Sequence, residues 1–255
     1  MRLKLTTSYI GTNYHGWQRQ PDKSTIQAAL EEAFFAIAGQ RVSFVGSGRT
    51  DERVHAIAQV AHFDVDDTKN STRIESLKGA FNYHLPQDIR VASVEQVDYS
   101  FNANKNAKSK TYIYDFYIGA QNALLNDRAL YVDKDINIKA MQKAAKLFVG
   151  THDFIGFRAK GSSATTTVRT VTECHIKEVS LYDSHGYRLT ISASGFLYKM
   201  VRIIMGTLLK VGRSDIKASD IKQILEARQE WDKKVPVSPH GLYLLNVEYG
   251  QKQIN

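Results

Sequence analysis

The hydrophobic pattern changes period along the chain, and those changes mark out its elements. Arg2 to Tyr9 is short and rich in β-favouring residues, which predicts a strand. Ser24-Thr25-Ile26-Gln27 has a capping-box pattern and opens an apolar helix to about Ala38. Arg41 to Val45 and Ala56 to Val65 read as strands, Thr72-Arg73-Ile74-Glu75 as a second capping box before a helix to about Tyr83, and Ile89 to Val97 as a strand. Further on, Thr111-Tyr112-Ile113-Tyr114-Asp115-Phe116-Tyr117 alternates at period two, and a helix is predicted from Ile138 to Phe148, stopping at Gly150. Thr170 to Leu181 and Tyr187 to Ser194 form an expected hairpin with Asp183-Ser184-His185-Gly186 as its turn. Helices from Leu197 to Val211 and Ser219 to Ala227 precede a last strand at Leu242 to Glu248.

Apart from one extra helix, both halves spell βαββαβ. The expected fold is therefore α+β: two ferredoxin-like (split βαβ) domains with antiparallel sheets and a catalytic cleft between them. Apolar periodicity lapses at Asn102-Ala103-Asn104-Lys105-Asn106-Ala107-Lys108, which divides the chain into 1–104 and 105–255. The repeat is inferred from element order, since matched residues between the halves are not evident.

With 43% hydrophobic residues in 255, the chain can bury a substantial core. Thirty-four Lys and Arg against 26 Asp and Glu leave a net charge of +8, a field that attracts polyanions. A single cysteine, Cys174, excludes an internal disulfide and a multi-thiolate metal site. No apolar run approaches bilayer-spanning length, and no apolar segment follows the charges of the N-terminus; a cytoplasmic location is expected.

The chemistry concentrates in Gly46-Ser47-Gly48-Arg49-Thr50-Asp51, a glycine loop between two predicted strands. A dinucleotide fingerprint would need a third glycine where Asp51 stands, and a helix rather than a strand after it. Val45 and Arg49 flank Ser47 where a nucleophile elbow requires glycines. Asp51, His55 and His62 match no usual metal-ligand spacing, and His15, His62 and His240 are read as loop or packing residues. An arginine beside an aspartate remains, a pairing that favours an ionised carboxylate fit for nucleophile or base. By itself the loop reads better as a surface turn with a local ion pair, since perturbed acids are often only structural.

Gly48-Arg49-Thr50-Asp51 followed by Val54-His55-Ala56 resembles the GRTDxxVHA signature of the TruA family of tRNA pseudouridine synthases. Gly11-Thr12-Asn13-Tyr14 with Gly16-Trp17-Gln18-Arg19-Gln20 is similar to that family's opening segment, and Gln59-Val60-Ala61-His62-Phe63 to the strand after its active-site loop. Lys110-Thr111-Tyr112-Ile113-Tyr114 looks like its KxYxY strand; Phe154-Ile155-Gly156-Phe157-Arg158, Met200-Val201-Arg202 and Gly241-Leu242-Tyr243-Leu244 complete a collinear set over nearly the whole chain.

The resemblance implies that Asp51 is the nucleophile, that Arg202 pairs with it, and that Tyr112 packs against the flipped uracil. It implies that Arg49 contacts RNA and that Leu242 lines the base pocket. It also implies a homodimer acting on the anticodon arm of tRNA, with neither cofactor nor metal. Tyr112 has an alternative reading as one member of a core row with Tyr114 and Phe116. Arg202, on an otherwise apolar helix, needs a partner if it faces inward.

The match departs where the family usually has Ala-Gly after the aspartate: Glu52-Arg53 stands there, adding a carboxylate beside Asp51 and a cation, Arg53, able to engage phosphate. Tyr9-Ile10-Gly11 lacks an acidic residue often found there, and Asn104 and Ile203 replace a frequent arginine and asparagine. Other readings are the same reaction on another structured RNA, a non-catalytic RNA-binding or folding protein, and a small-molecule enzyme, for which no cofactor motif is found.

Overall fold

The structure is a computed structural model, described here for residues 1–66, 73–132, 136–161, 164–182 and 184–250. The chain is α+β and divides into two compact units, one of Met1–Lys108 with Tyr243–Asn255, the other of Ser109–Leu242.

In the first unit, β1 (Arg2–Tyr9) buries every second residue, so Leu3, Leu5, Thr7 and Tyr9 share the core face. It lies between β3 (His55–Asp64) and β4 (Ile89–Val97), antiparallel to both, with Leu5 opposite Ala61 on one side and Val94 on the other. The two-residue β2 (Val45–Gly46) pairs with β3, where Gly46 stands opposite Ala61. Tyr243 and Leu244, at the start of β10 (Leu242–Tyr249), run parallel to His55 and Ala56. Two helices complete the split βαβ pattern. Phe34 of α1 (Ile26–Ala38) meets Phe63 edge-on at 5.1 Å and Phe81 of α2 (Ile74–His84) at 5.9 Å, all three fully buried.

Several boundaries differ from the sequence reading. The cap of α1 is Thr25, whose side chain accepts from Ala28 N, one residue later than the capping box placed it. Gln27 is thereby released to accept from Arg19 N at 3.0 Å and donate to Glu31 at 2.8 Å. The strand expected over Arg41 to Val45 shrinks to Val45–Gly46, because Phe44 turns its N–H to the Glu31 carboxylate and its ring onto Phe63 at 4.3 Å. Thr72 of the second capping box lies outside the described residues, and Arg73 caps α2 without a side-chain hydrogen bond.

The second unit contains β5 (Ala107–Ile118), β9 (Ser184–Ala193), β8 (Val168–Leu181) and β7 (Gly150–Asp153), adjacent in that order and antiparallel. A short β6 (Leu130–Val132) runs parallel to β5. Neither β6 nor β7 was anticipated; both are too short for a periodic signal. The hairpin turn is tighter than expected: Ser184, His185 and Gly186 already pair with Leu181, Ser180 and Val179, and Tyr182 takes φ 51°. Asp183 lies outside the described residues.

The helix α3 (Ile138–Ala145) ends in a 3-10 turn, Lys146–Phe148, while α4 (Met200–Gly212) starts three residues later than expected because Lys199 is left-handed at φ 57°. Ile203, Ile204, Met205 and Leu208 make α4 a core element. It is followed by α5 (Ala218–Ala227). No helix among the described residues is long and apolar enough to cross a membrane.

Candidate active site

In the first unit, the loop between β2 and β3 carries Arg49, Asp51 and Arg53. It has no regular structure, so its shape depends on where its backbone groups bond. Ser47 N donates to Val60 O at 2.7 Å, and the Ser47 hydroxyl donates to Gln59 Oε1 at 2.6 Å. Gln59, fully buried, donates back to Gly48 O at 2.9 Å, and Asn104 Nδ2 donates to Ser47 O at 2.6 Å. Asn104 thus holds the loop in the place where the family often has arginine.

The second half of the loop is held by the chain's opening segment. Trp17 N donates to Thr50 O at 3.1 Å, Arg53 N donates to Tyr14 O at 3.1 Å, and Tyr9 and Thr50 share a buried hydroxyl hydrogen bond of 2.8 Å. Gly16 makes this approach possible. At φ 88°, a Cβ on it would stand 2.5 Å from Thr50 O and 3.1 Å from Asp51 C. Asp51 is consequently half-buried, with its own carbonyl accepting from Val54 N, while Arg49 is exposed.

Glu52 and Arg53, the departure from the family pattern, have distinct structural consequences. Glu52 is exposed, its carboxylate 4.0 Å from His15 Nε2. Arg53 is half-buried at φ 66°, the left-handed region in which glycine is unstrained and arginine is not.

The histidines near this loop have structural partners. His55 Nδ1 accepts from Gly11 N at 3.0 Å and its ring stacks on Tyr243 at 4.6 Å. His62 Nδ1 accepts from Ala103 N at 3.1 Å; burial, with Arg2 nearby, lowers its pKa below the ordinary imidazole value. Among the described residues, no three His, Cys, Asp or Glu side chains are grouped to hold a metal ion.

The second unit carries Tyr112, Arg202 and Leu242. Tyr112 stands opposite Ile191 in β9, nearly buried, with its ring edge-on to Phe196 at 5.0 Å. Tyr114 and Phe116, next on the same face, are fully buried, and Phe116 stacks on Tyr187 at 5.4 Å, so the aromatic row is core at that end. Arg202 is half-buried near the start of α4, its Nε donating to Val237 O at 2.7 Å.

Leu242, nearly buried, follows the 3-10 turn Pro239–Gly241. That turn is fixed by Tyr114, whose hydroxyl donates to Ser238 O at 2.7 Å, and by close packing in which a Cβ on Gly241 would come within 2.4 Å of Asp115 O. His240 Nδ1 lies 2.9 Å from Asp127 Oδ1, a contact that ties the turn to residue 127.

The sequence reading did not single out Trp17 as a support of the loop, nor Arg169, nor Asp115, which is buried and bridged bidentately by Arg188 at 2.7 and 2.8 Å. A charge inside the alternating run 111–117 was the available signal for Asp115.

Residues 5–104 and 144–250 match a family model described as tRNA pseudouridine synthase. A tRNA pseudouridine synthase A of Acetivibrio thermocellus is 40% identical over 97% of this chain and 99% of its own. One of Thermoanaerobacter sp. strain X514, and a tRNA pseudouridine synthase A 2 of Clostridium perfringens, are each 39% identical with the same coverage.

Proposed function

The chain belongs to the TruA family of tRNA pseudouridine synthases, and from that premise we propose the residues that perform its reaction. It isomerises uridine to pseudouridine in tRNA. The bond between ribose C1′ and uracil N1 breaks, the base turns, and C5 bonds to C1′. The C5 proton is released and N1 gains one, so the atoms balance without a second substrate.

Asp51 is the proposed nucleophile. The observation that carries this is its place on a loop whose backbone is bonded on both sides of it, through Thr50 O and Arg53 N, to residues 14–17. A half-buried carboxylate held this way meets the reacting ring with little reorganisation, which is how positioning lowers a barrier. Arg202 is proposed as the cation that pairs with Asp51, and Tyr112 and Leu242 as the groups that hold the uracil and exclude water. The base must leave its stack, at a cost of a few kcal/mol that phosphate contacts offset. Arg49, exposed beside Asp51, and Arg53 are the proposed contacts for that backbone. The anticodon arm as target, a homodimer, a cytoplasmic location and division into domains 1–104 and 105–255 complete the proposal.

The test uses tRNA transcripts tritiated at uracil C5. Wild-type protein is expected to release tritium, and Asp51→Ala to release none while binding tRNA within about threefold of wild type. Undiminished release by Asp51→Ala would remove the nucleophile assignment.

A further inference from the structure

The second unit holds two cations that the reaction scheme has not used. Lys110 precedes Tyr112 by two residues on β5 and therefore lies on the same face of the sheet. It stands opposite Ala193 of β9, which in turn stands opposite Val171 of β8. Arg169 is two residues before Val171 on that strand. Beyond β9, Ser194 N donates to Thr170 O at 3.0 Å, the Gly195 backbone passes against Arg169, and Phe196 closes on Tyr112. One short loop, 194–196, therefore connects the surroundings of Arg169 to those of the tyrosine.

Both cations are half-buried, and no carboxylate among the described residues pairs with either. Among the described residues, Arg169 donates through Nη1, to Thr166 O at 2.9 Å and Val168 O at 2.6 Å. Burial lowers the Lys110 pKa, and the nearby Arg169 charge lowers it further; burial lowers Arg169 as well. Two like charges, partly dehydrated and without an acid, destabilise the free protein, and an anion between them would relieve both costs.

We propose that Lys110 and Arg169 form a phosphodiester-binding site that grips the RNA backbone next to the nucleotide held at Tyr112. The proposal rests on the reading of Tyr112 as a substrate residue. An arginine and a lysine suit a phosphate, the one through a fixed fork of donors and the other as a mobile point charge.

The experiment compares full-length wild type with Lys110→Gln, Arg169→Gln, the double variant, Lys110→Arg, and Lys222→Gln as a control from the exposed face of α5. Affinity for unmodified tRNA is measured across a salt series, alongside Tm of the free protein. Each single loss is expected to weaken binding about fivefold and to flatten the salt dependence by roughly 0.7 to 0.9 in log–log slope. The double variant should fall short of the product of the singles, because they share one phosphate. Lys110→Arg should bind like wild type, as should Lys222→Gln.

Lys110→Gln, which removes one of two repelling charges, should leave Tm unchanged or raise it, whereas a structural lysine would lower Tm and affinity together; Arg169→Gln also gives up the hydrogen bonds to Thr166 O and Val168 O, so its affinity is read against its own Tm. Wild-type affinity and slope in both single variants would overturn the site, as would losses that only follow Tm. A rise in wild-type Tm with inorganic phosphate, absent in the double variant and accompanied by unaltered tRNA binding, would overturn the RNA assignment in favour of a free anion. Should wild type itself release no tritium, the substrate reading fails and the proposal with it; active wild type beside unaffected variants overturns the phosphate site alone.

Discussion

The two units present their candidate residues by opposite means. Asp51 sits on an irregular loop held by a few backbone bonds to residues 14–17, whereas Tyr112 sits in a regular strand, paired with β9 and packed against Phe196. A loop of the first kind has one shape because single atoms fit closely, as Gly16 does against Thr50 O. A strand of the second kind has one shape because many contacts agree. Position should therefore be lost before stability in the first unit, and stability before position in the second.

Gly16→Ala is the most severe test of that contrast. The new Cβ cannot occupy a site 2.5 Å from Thr50 O, and φ 88° is strained for alanine, so residues 50–53 must shift. A displacement near 1 Å at the reacting group costs about 100-fold, and kcat for tritium release should fall by at least that much. Phe196→Ala removes the ring beside Tyr112 but leaves its strand pairing, so the expected loss is about tenfold in kcat/KM with a Tm several degrees lower. Equal losses of activity from the two substitutions, at equal cost in Tm, would break the comparison.

The same contrast governs what could be read from sequence. The strands Arg2–Tyr9 and Ile89–Val97 have the limits that the sequence predicts, and in Arg2–Tyr9 local period and burial agree residue by residue. The stretch 41–44 has strand-like residues, yet Glu31, thirteen positions before Phe44, takes the N–H that a ladder would use. Asp51 could be proposed from sequence because a glycine loop and a collinear set of motifs point to it. Arg169 could not, because a single arginine in a strand carries no local signal, and only the register of three strands sets it beside Lys110.

Arg53 is an intermediate case. Its sequence signal was the loss of a flexible position, and the structure gives that loss a magnitude through φ 66°. Arg53→Gly should relieve about 1 kcal/mol of strain and raise Tm by roughly 2 to 4 °C. Arg53→Asn, which tolerates this conformation without restoring charge, should recover part of that gain. Salt-dependent tRNA binding separates the two contributions: both variants should lose the same affinity if the charge engages phosphate, and stability should differ between them. A lower Tm for Arg53→Gly would show that contacts of the side chain outweigh its backbone strain.

The smallest expected effect concerns pH, and it too distinguishes the units. His62 in the first unit must keep Nδ1 unprotonated to accept from Ala103 N, and its folded pKa lies below that of the unfolded chain, near 6.5. Between the two values the unfolded state binds the extra proton, so the His62 contribution is complete above about 6.5 and declines as pH falls below it. One such group can change stability by at most about 1.4 kcal/mol per pH unit. Asp64, held low by its hydrogen bonds from Arg2, loses its contribution only further down, as pH falls through the carboxylate range. Cys174 of the second unit, pushed up to about 12 by burial, stays a neutral thiol throughout. Urea unfolding between pH 7.5 and 5.5 should therefore show a decline that His62→Asn flattens, because the amide oxygen can accept from Ala103 N without titrating. An unchanged slope in that variant would mean that the proton responsible for the decline enters elsewhere.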